Sequence, residues 1–122
     1  MLDGRITEFE DLEVWQEAQL FAVEIYGETR NFPKDEMYAM TSQLRRAASS
    51  ISANIAEGFG RSTVNDKLHF YTMAYGSLLE VKNFLYLAQK LGYIDIEIVE
   101  SLIQHSIICQ KLINASKRSL RT

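Results

Sequence analysis

The sequence predicts an all-α protein with the architecture of an antiparallel, up-down-up-down four-helix bundle. Apolar residues recur at spacings of three and four along four long segments, the pattern of helices that bury one face. The segments are joined by short connections, which favour antiparallel neighbours, and no β-hairpin signal interrupts them. With 122 residues and 47% hydrophobic content the chain can fill one core, so we expect a single domain over residues 1–122.

The first two helices are predicted on either side of Pro33, the single proline of the chain. The first runs from about residue 11 to 30 and the second from about 34 to 59, because the fixed φ of proline suits a helix start. Gly58 and Gly60 are expected to end the second helix. The apolar stripes consist of Leu12, Trp15, Ala18, Ala22, Ile25 and Thr29, then Met37, Met40, Leu44, Ala47, Ile51 and Ile55.

The third and fourth helices are predicted at about residues 64–91 and 95–117. Ser62 or Thr63 can cap the third helix, and Gly92 supplies a left-handed exit from it. Asp95 is a good N-cap for the fourth helix, which we expect to fray near Lys117. The buried side of the fourth helix is predicted from Val99, Leu102, Ile103, Ser106, Cys109 and Ile113.

Charge and composition predict a soluble, cytoplasmic protein. The formal net charge of −3 conceals a net of −7 over residues 1–36 and of +4 over residues 37–122. The acidic start differs from the basic, then apolar, lead of a signal peptide, and no apolar run approaches the roughly 20 residues that span a bilayer. The lone cysteine, Cys109, excludes an intramolecular disulfide and fits a reducing compartment, with a role as a small core residue.

The third helix has more apolar surface than one seam of a bundle needs, which predicts self-association. An acidic first helix and a basic remainder could dock head to tail and close into a ring. The alternative is that the wide stripe covers two neighbouring helices of the same bundle. The apolar positions are Leu68, Tyr71, Leu78, Val81 and Leu85 on one side, and Phe70, Met73, Phe84 and Leu87 on the other.

A polar stripe follows one face of the second helix. Its members are Gln43, Ser50, Asn54, Glu57 and Arg61, at steps of seven, four, three and four. The stripe is either a recognition site at the end of the bundle or a hydrogen-bonded network that includes Glu80 of the third helix and fixes the register. We favour the structural network, because a mid-helix asparagine such as Asn54 needs a reason beyond local propensity.

No arrangement of residues indicates catalysis, a metal or a cofactor. Asp66 and His69 form a single carboxylate-x-x-His pair, whereas a dinuclear bundle site needs two. His105 and Cys109 are four residues apart, but no further ligands complete a zinc shell. The segment Gly58-Phe59-Gly60 is too short for either common phosphate-binding loop. We therefore predict that the protein is not an enzyme.

Nucleic acid is a candidate partner. The residues considered for phosphate contacts are Arg45, Arg46, Arg61, Lys111, Lys117, Arg118 and Arg121. Oligomerisation would multiply such a patch into a surface of high charge. The net negative charge of the chain argues against this partner. Clustered basic residues are also more often a solvated face.

The sequence resembles a family of small four-helix-bundle proteins that are encoded within intervening sequences of bacterial 23S ribosomal RNA genes and are sometimes called S23 ribosomal proteins. The matching motifs are FEDLEVW at 9–15, QLRRAASSI at 43–51, NIAEG at 54–58, YGS at 75–77 and LGYI at 91–94, with Tyr26, Phe32, Pro33, Glu36, Tyr38 and Glu80 between them. The family is similar to the accessory protein of diversity-generating retroelements, a pentameric bundle that binds nucleic acid. The resemblance implies a homopentameric ring without known catalysis, in which Arg45, Arg46 and Arg61 are the matched basic positions.

The sequence thus predicts a non-enzymatic, self-associating interaction module, with RNA, DNA or a nucleic-acid-bound protein as the candidate partner and no membrane contact. The alternative is a helical bundle that binds a small ligand or a metal. Retention on heparin would favour the first interpretation, and metal content the second.

Overall fold

The computed structural model describes residues 5–122, which form four long α-helices and contain no strand. The helices are α1 (Glu13–Thr29), α2 (Met40–Phe59), α3 (Val64–Lys90) and α4 (Ile96–Arg121). Single turns of 3-10 helix precede α1 at Phe9–Asp11 and α2 at Lys34–Glu36. None of the helices in these described residues has the length and apolarity needed to cross a membrane.

The four helices pack side by side as a bundle. Each helix contacts the next one along the chain, and α1 also contacts α4, which closes the arrangement. Arg45 near the start of α2 donates to Thr29 at the end of α1, with 2.8 Å between Nε and Oγ1. Lys117 near the end of α4 likewise donates to Thr72 near the start of α3. Such contacts are expected of neighbouring helices that run in opposite directions.

The core follows the predicted apolar stripes. Its largest fully buried side chains include Phe21, Ile25, Leu44, Ile51 and Ile55 from the first half of the chain, and Leu78, Leu85, Cys109 and Ile113 from the second. Burial of one such aliphatic or aromatic side chain contributes roughly 1.5–3 kcal/mol. Since every helix contributes to this one cluster, the described residues share a single core.

The predicted start of the second helix at residue 34 is wrong. Residues Lys34–Glu36 form one 3-10 turn, and α2 begins only at Met40. The reason lies at Ala39, whose φ of −122° and ψ of −105° are not helical and interrupt the backbone between the two elements. The fourth helix is also longer than predicted, because it continues past Lys117 to Arg121.

Gly58 does not end α2 as expected, since it lies inside the helix. Its role is steric: a Cβ at this position would lie 2.7 Å from the Cβ of Phe70 on α3. Only glycine allows the two helices to approach this closely. Gly60 is the C-cap of α2, as predicted. Lys67 also contacts this end of the helix, because its Nζ donates to the carbonyl of Phe59 at 2.7 Å and to that of Gly58 at 3.4 Å.

Candidate functional site

Arg45 of α2 makes three contacts with the end of α1. Besides the bond to Thr29, its Nη2 lies 3.4 Å from the carbonyl oxygen of Tyr26, and its guanidinium stacks 4.9 Å from the centre of the Tyr26 ring. Thr29 in turn donates to the carbonyl of Ile25 at 2.8 Å. Arg45 therefore caps the C-terminus of α1, where a cation is favoured by the helix dipole.

Arg46 bridges two members of the predicted polar network. Its Nη2 donates to Oε1 of Gln43 at 2.6 Å and lies 3.5 Å from a carboxylate oxygen of Glu80 on α3. The side chain of Arg46 remains 62% exposed, so this ion pair contributes little to stability. The sequence prediction named Gln43 and Glu80 but not the arginine between them.

The remaining members of the predicted network do not join this bridge. The side chain of Asn54 donates to the carbonyl of Ser50, four residues earlier in its own helix, at 2.9 Å. Glu57 is exposed near the end of α2. The structure thus brings Gln43 and Glu80 together through Arg46, whereas the side chain of Asn54 bonds within α2 and does not reach α3.

The basic residues considered for nucleic acid lie at two ends of the bundle. Arg61 follows the C-terminus of α2, roughly 20 Å along the axis from Arg46 at a rise of 1.5 Å per residue. The guanidinium of Arg61 stacks 4.6 Å from the centre of the Phe70 ring. Lys117 and Arg118 lie on the last turns of α4, at the same end of the bundle as Arg61.

The seam between α1 and α4 contains a histidine clamped by two carboxylates. His105 lies 2.7 Å from Glu17 through Nε2, and its Nδ1 contacts Glu24. The two ring nitrogens of His105 can donate hydrogen bonds at the same time only in the imidazolium form. Burial disfavours the charge, but the bonds to Glu24 and Glu17 outweigh burial, so the pKa of His105 is raised. The ring also packs edge-on against Phe21 at 5.4 Å.

The other candidate residues have structural roles, in the core or at the start of a helix. Cys109 is fully buried, and burial raises the pKa of its thiol to about 12, which leaves it protonated and a poor nucleophile. Across residues 5–122, no group of three or more His, Cys, Asp or Glu side chains is placed to hold a metal ion. Asp66 instead belongs to the start of α3, where its backbone N–H donates to the hydroxyl of Thr63 at 3.1 Å.

Three of the concave surfaces on the described part of the chain are possible sites. The first, the α2 N-terminal cleft of about 400 Å³, is lined by Tyr26, Met37, Tyr38, Thr41, Ser42, Arg45 and Arg46. The second, the α1–α2 groove of about 610 Å³, has Trp15, Val23 and Tyr26 on one side and Ser49, Ser52, Ala53 and Ala56 on the other. The third, the end cavity of about 450 Å³, is lined mainly by Leu12, Val14, Phe59, Tyr71, Leu112 and Leu120, with Lys67 at its wall.

Sequence reasoning missed the most distinctive residues of the α2 N-terminal cleft. Tyr38 is 97% exposed, and Thr41 is 3% exposed with no hydrogen-bond partner for its hydroxyl within the described residues. The exposure of Tyr38 and the unpartnered hydroxyl of Thr41 both follow from the backbone break at Ala39. No periodicity in the sequence indicates that break. The resemblance included Tyr38 only as a matching position.

Comparison with protein families matches residues 10–115 to the 23S rRNA-intervening sequence protein. The chain belongs to that family. A crystal structure of a family-related protein, a protein with unknown function from the S23 ribosomal protein family of Bacteroides thetaiotaomicron VPI-5482, is 27% identical and has a TM-score of 0.76. The match covers 85% of this chain and 97% of the other. No curated protein matches the chain. Membership of the 23S rRNA-intervening sequence protein family thus explains the four-helix fold and leaves the function open.

Proposed function

We propose that this protein is a non-catalytic scaffold that assembles with copies of itself, in a ring of five, and presents its basic residues to RNA. The observation that carries the proposal is the exposed apolar face of α1. Val23 is 67% exposed and lines the α1–α2 groove, and Leu20, three residues earlier on α1, is 56% exposed. Large apolar side chains grouped on one face beside a groove are typical of an interface.

The groove has the shape to receive a helix. Its α2 side consists of serine and alanine residues, which leave room for larger side chains from another chain. Its α1 side is mainly apolar and ends at Arg30, whereas the four glutamates of α1 are not part of its lining. A partner surface should therefore present apolar side chains to the groove.

α3 offers such a surface on the same chain. Leu79 and Tyr86 are 44% and 47% exposed and are seven residues apart, so they lie on one face of the helix. Lys82 and Lys90 fall on that face too, and no acidic residue does. We call this surface the α3 ridge. Since groove and ridge differ, their contact is heterologous, and a heterologous contact that closes forms a ring.

RNA is the partner that the charge distribution supports. Helix α4 ends in Lys117, Arg118 and Arg121, and Arg61 lies at the same end of the bundle. A ring would repeat this basic end five times, which strengthens phosphate binding through release of counterions.

The assembly is tested by mixing two variants. Val23→Glu damages the groove and leaves the ridge intact, whereas Leu79→Glu does the reverse. The wild type should sediment at about 70 kDa, five times the 14.0 kDa of one chain, and each variant alone should sediment as a monomer. An equimolar mixture should form a dimer of about 28 kDa, because one intact groove meets one intact ridge. Asn114→Glu, on the exposed side of α4, serves as the matched control.

A wild-type protein that remains at 14.0 kDa at 100 µM would end the scaffold proposal. A mixture that fails to dimerise would reject the heterologous pairing of groove and ridge. RNA binding is measured separately, as salt-dependent retention of a radiolabelled RNA by the assembled protein. Loss of one phosphate contact should reduce, by about one, the slope of the logarithm of the binding constant against the logarithm of the salt concentration.

A second candidate function is the binding of a small apolar ligand in the end cavity. The cavity is of ordinary size for a ligand pocket and has a largely apolar lining. Native mass spectrometry of the protein purified from its source should then show a bound small molecule, and Leu112→Trp should remove it. Elemental analysis of the same preparation tests for a bound metal. A protein that acts only as an RNA scaffold would show neither a bound small molecule nor a bound metal.

A further inference from the structure

We infer that the α2 N-terminal cleft binds a phosphate group of single-stranded RNA, with the neighbouring base on Tyr38. The inference rests on the proposed RNA partner and adds the location and chemistry of one contact. The cleft lies at the start of a helix of 20 residues, where the dipole favours an anion. Its lining includes Arg45 and Arg46 and, among residues 5–122, no acidic residue.

The first turn of α2 is left uncapped. Its N-cap residue is Ala39, which has no side chain that can accept from the first N–H groups of the helix. Serine, threonine, aspartate or asparagine would ordinarily supply that acceptor. A phosphate oxygen is an acceptor of the same kind and brings the negative charge that the helix start favours.

An independent observation comes from Thr41, which lines the cleft. The residue is 3% exposed, and its hydroxyl has no hydrogen-bond partner within the described residues. A threonine inside a helix usually bonds to the carbonyl four residues earlier. Here that residue is Met37, which precedes the break at Ala39 and is not part of the helix. The buried donor therefore lacks a partner that an anion in the cleft would provide.

The two arginines are suited to different tasks. Arg45 is fixed by Thr29 and Tyr26, so its charge stands at the cleft without loss of side-chain entropy on binding. Arg46 is exposed and uses only Nη2 in the bonds to Gln43 and Glu80. Its other N–H groups are available for a charge-assisted bond to phosphate.

Tyr38 gives the site its preference for single strands. At 97% exposed, it makes almost no contact within the chain, although it is a large aromatic side chain at the edge of a basic cleft. Unpaired bases stack on exposed aromatic rings, whereas the bases of a duplex are already stacked. We therefore expect a fluorescein-labelled single-stranded oligouridylate to bind more tightly than a duplex of the same length.

The experiment measures anisotropy of that oligouridylate with the wild type and four variants. Arg46→Gln should weaken binding about tenfold and Thr41→Val about fivefold, the losses expected for bonds to a charged ligand. Tyr38→Ala should weaken binding about tenfold, as loss of one stacking contact does. Asn114→Ala, on the exposed side of α4 and outside both the cleft and the basic end of the bundle, is the control and should change binding less than threefold.

Thr41→Val also separates a lost ligand contact from a damaged fold. Because the hydroxyl has no partner in the free protein, valine should preserve or raise the melting temperature while it weakens binding. If all three cleft variants bind as the wild type does, the site is wrong while the RNA function stands. If the wild type binds no RNA, the function fails, and inorganic phosphate then tests the site: shifts of the Thr41 and Ser42 amide resonances support an anion site, and their absence overturns it.

Discussion

Replacement of Gly58 by alanine should destabilise the protein, although alanine is the better helix former. The added Cβ would lie 2.7 Å from the Cβ of Phe70. That atom is fixed to the backbone of α3, so relief requires the two helices to separate rather than a side chain to rotate. Overpacking of this kind costs about 1–3 kcal/mol, and the gain in helix propensity returns about 1 kcal/mol. We expect a net loss of up to about 2 kcal/mol.

Gly76→Ala is the matched control for this prediction. Gly76 also lies inside a helix, α3, but a Cβ there meets no atom within 4 Å. Alanine should therefore stabilise the protein by about 0.5–1 kcal/mol through propensity alone. The two substitutions are chemically identical and should change stability in opposite directions.

Urea unfolding followed by circular dichroism at 222 nm provides the measurement, at a single protein concentration so that assembly does not shift the midpoint. Thermal midpoints should differ from the wild type by roughly 4 °C for each kcal/mol. A Gly58→Ala protein as stable as Gly76→Ala would refute the argument that close approach of α2 and α3 requires glycine.

Three further predictions concern single side chains. The pKa of His105 is raised in the folded state. The histidine therefore contributes fully to the free energy of unfolding below its unfolded pKa of 6.5, and this contribution is lost as the pH rises through the folded pKa. The stability advantage of the wild type over His105→Gln should thus shrink from pH 6 to pH 9 in urea titrations; a constant difference would contradict the clamp. Thr63→Ala removes the acceptor for the Asp66 N–H and should cost about 1 kcal/mol in the same assay, whereas Thr72→Ala, beyond the first two turns of α3, should cost less. Cys109, with a thiol pKa of about 12, should react with a disulfide reagent only at the rate of unfolding, and a rate proportional to reagent concentration in native buffer would show that it is accessible.

The fold could be predicted from the sequence because its signals are local and redundant. Apolar spacing along α1 and α4, the cap at Thr63 and the left-handed Gly92 each indicate the same bundle. The start of α2 could not be predicted in this way. Met37 continues the apolar period of the helix, yet the backbone breaks two residues later at Ala39. Periodicity reports which side of a helix would be buried and not whether the helix is continuous.

The candidate site was only partly accessible to sequence reasoning. The positions Arg45 and Arg46 could be named as basic, but their different roles depend on Thr29 and Glu80, which lie far away along the chain. Asn54 was expected to link helices because asparagine is unfavourable inside a helix. Its bond to the backbone of Ser50 satisfies the amide locally, and nothing in the residue type distinguishes the two outcomes.

The link between Lys67 and the end of α2 has a consequence for how the chain reaches its native state. The side chain joins the carbonyls of Gly58 and Phe59 across a connection of only a few residues, beside the contact of Gly58 with Phe70. Contacts so close along the chain have little loop entropy to overcome, so the α2–α3 hairpin should form early, before α1 and α4 dock on it. Its amide protons should accordingly be the last to exchange with deuterated solvent.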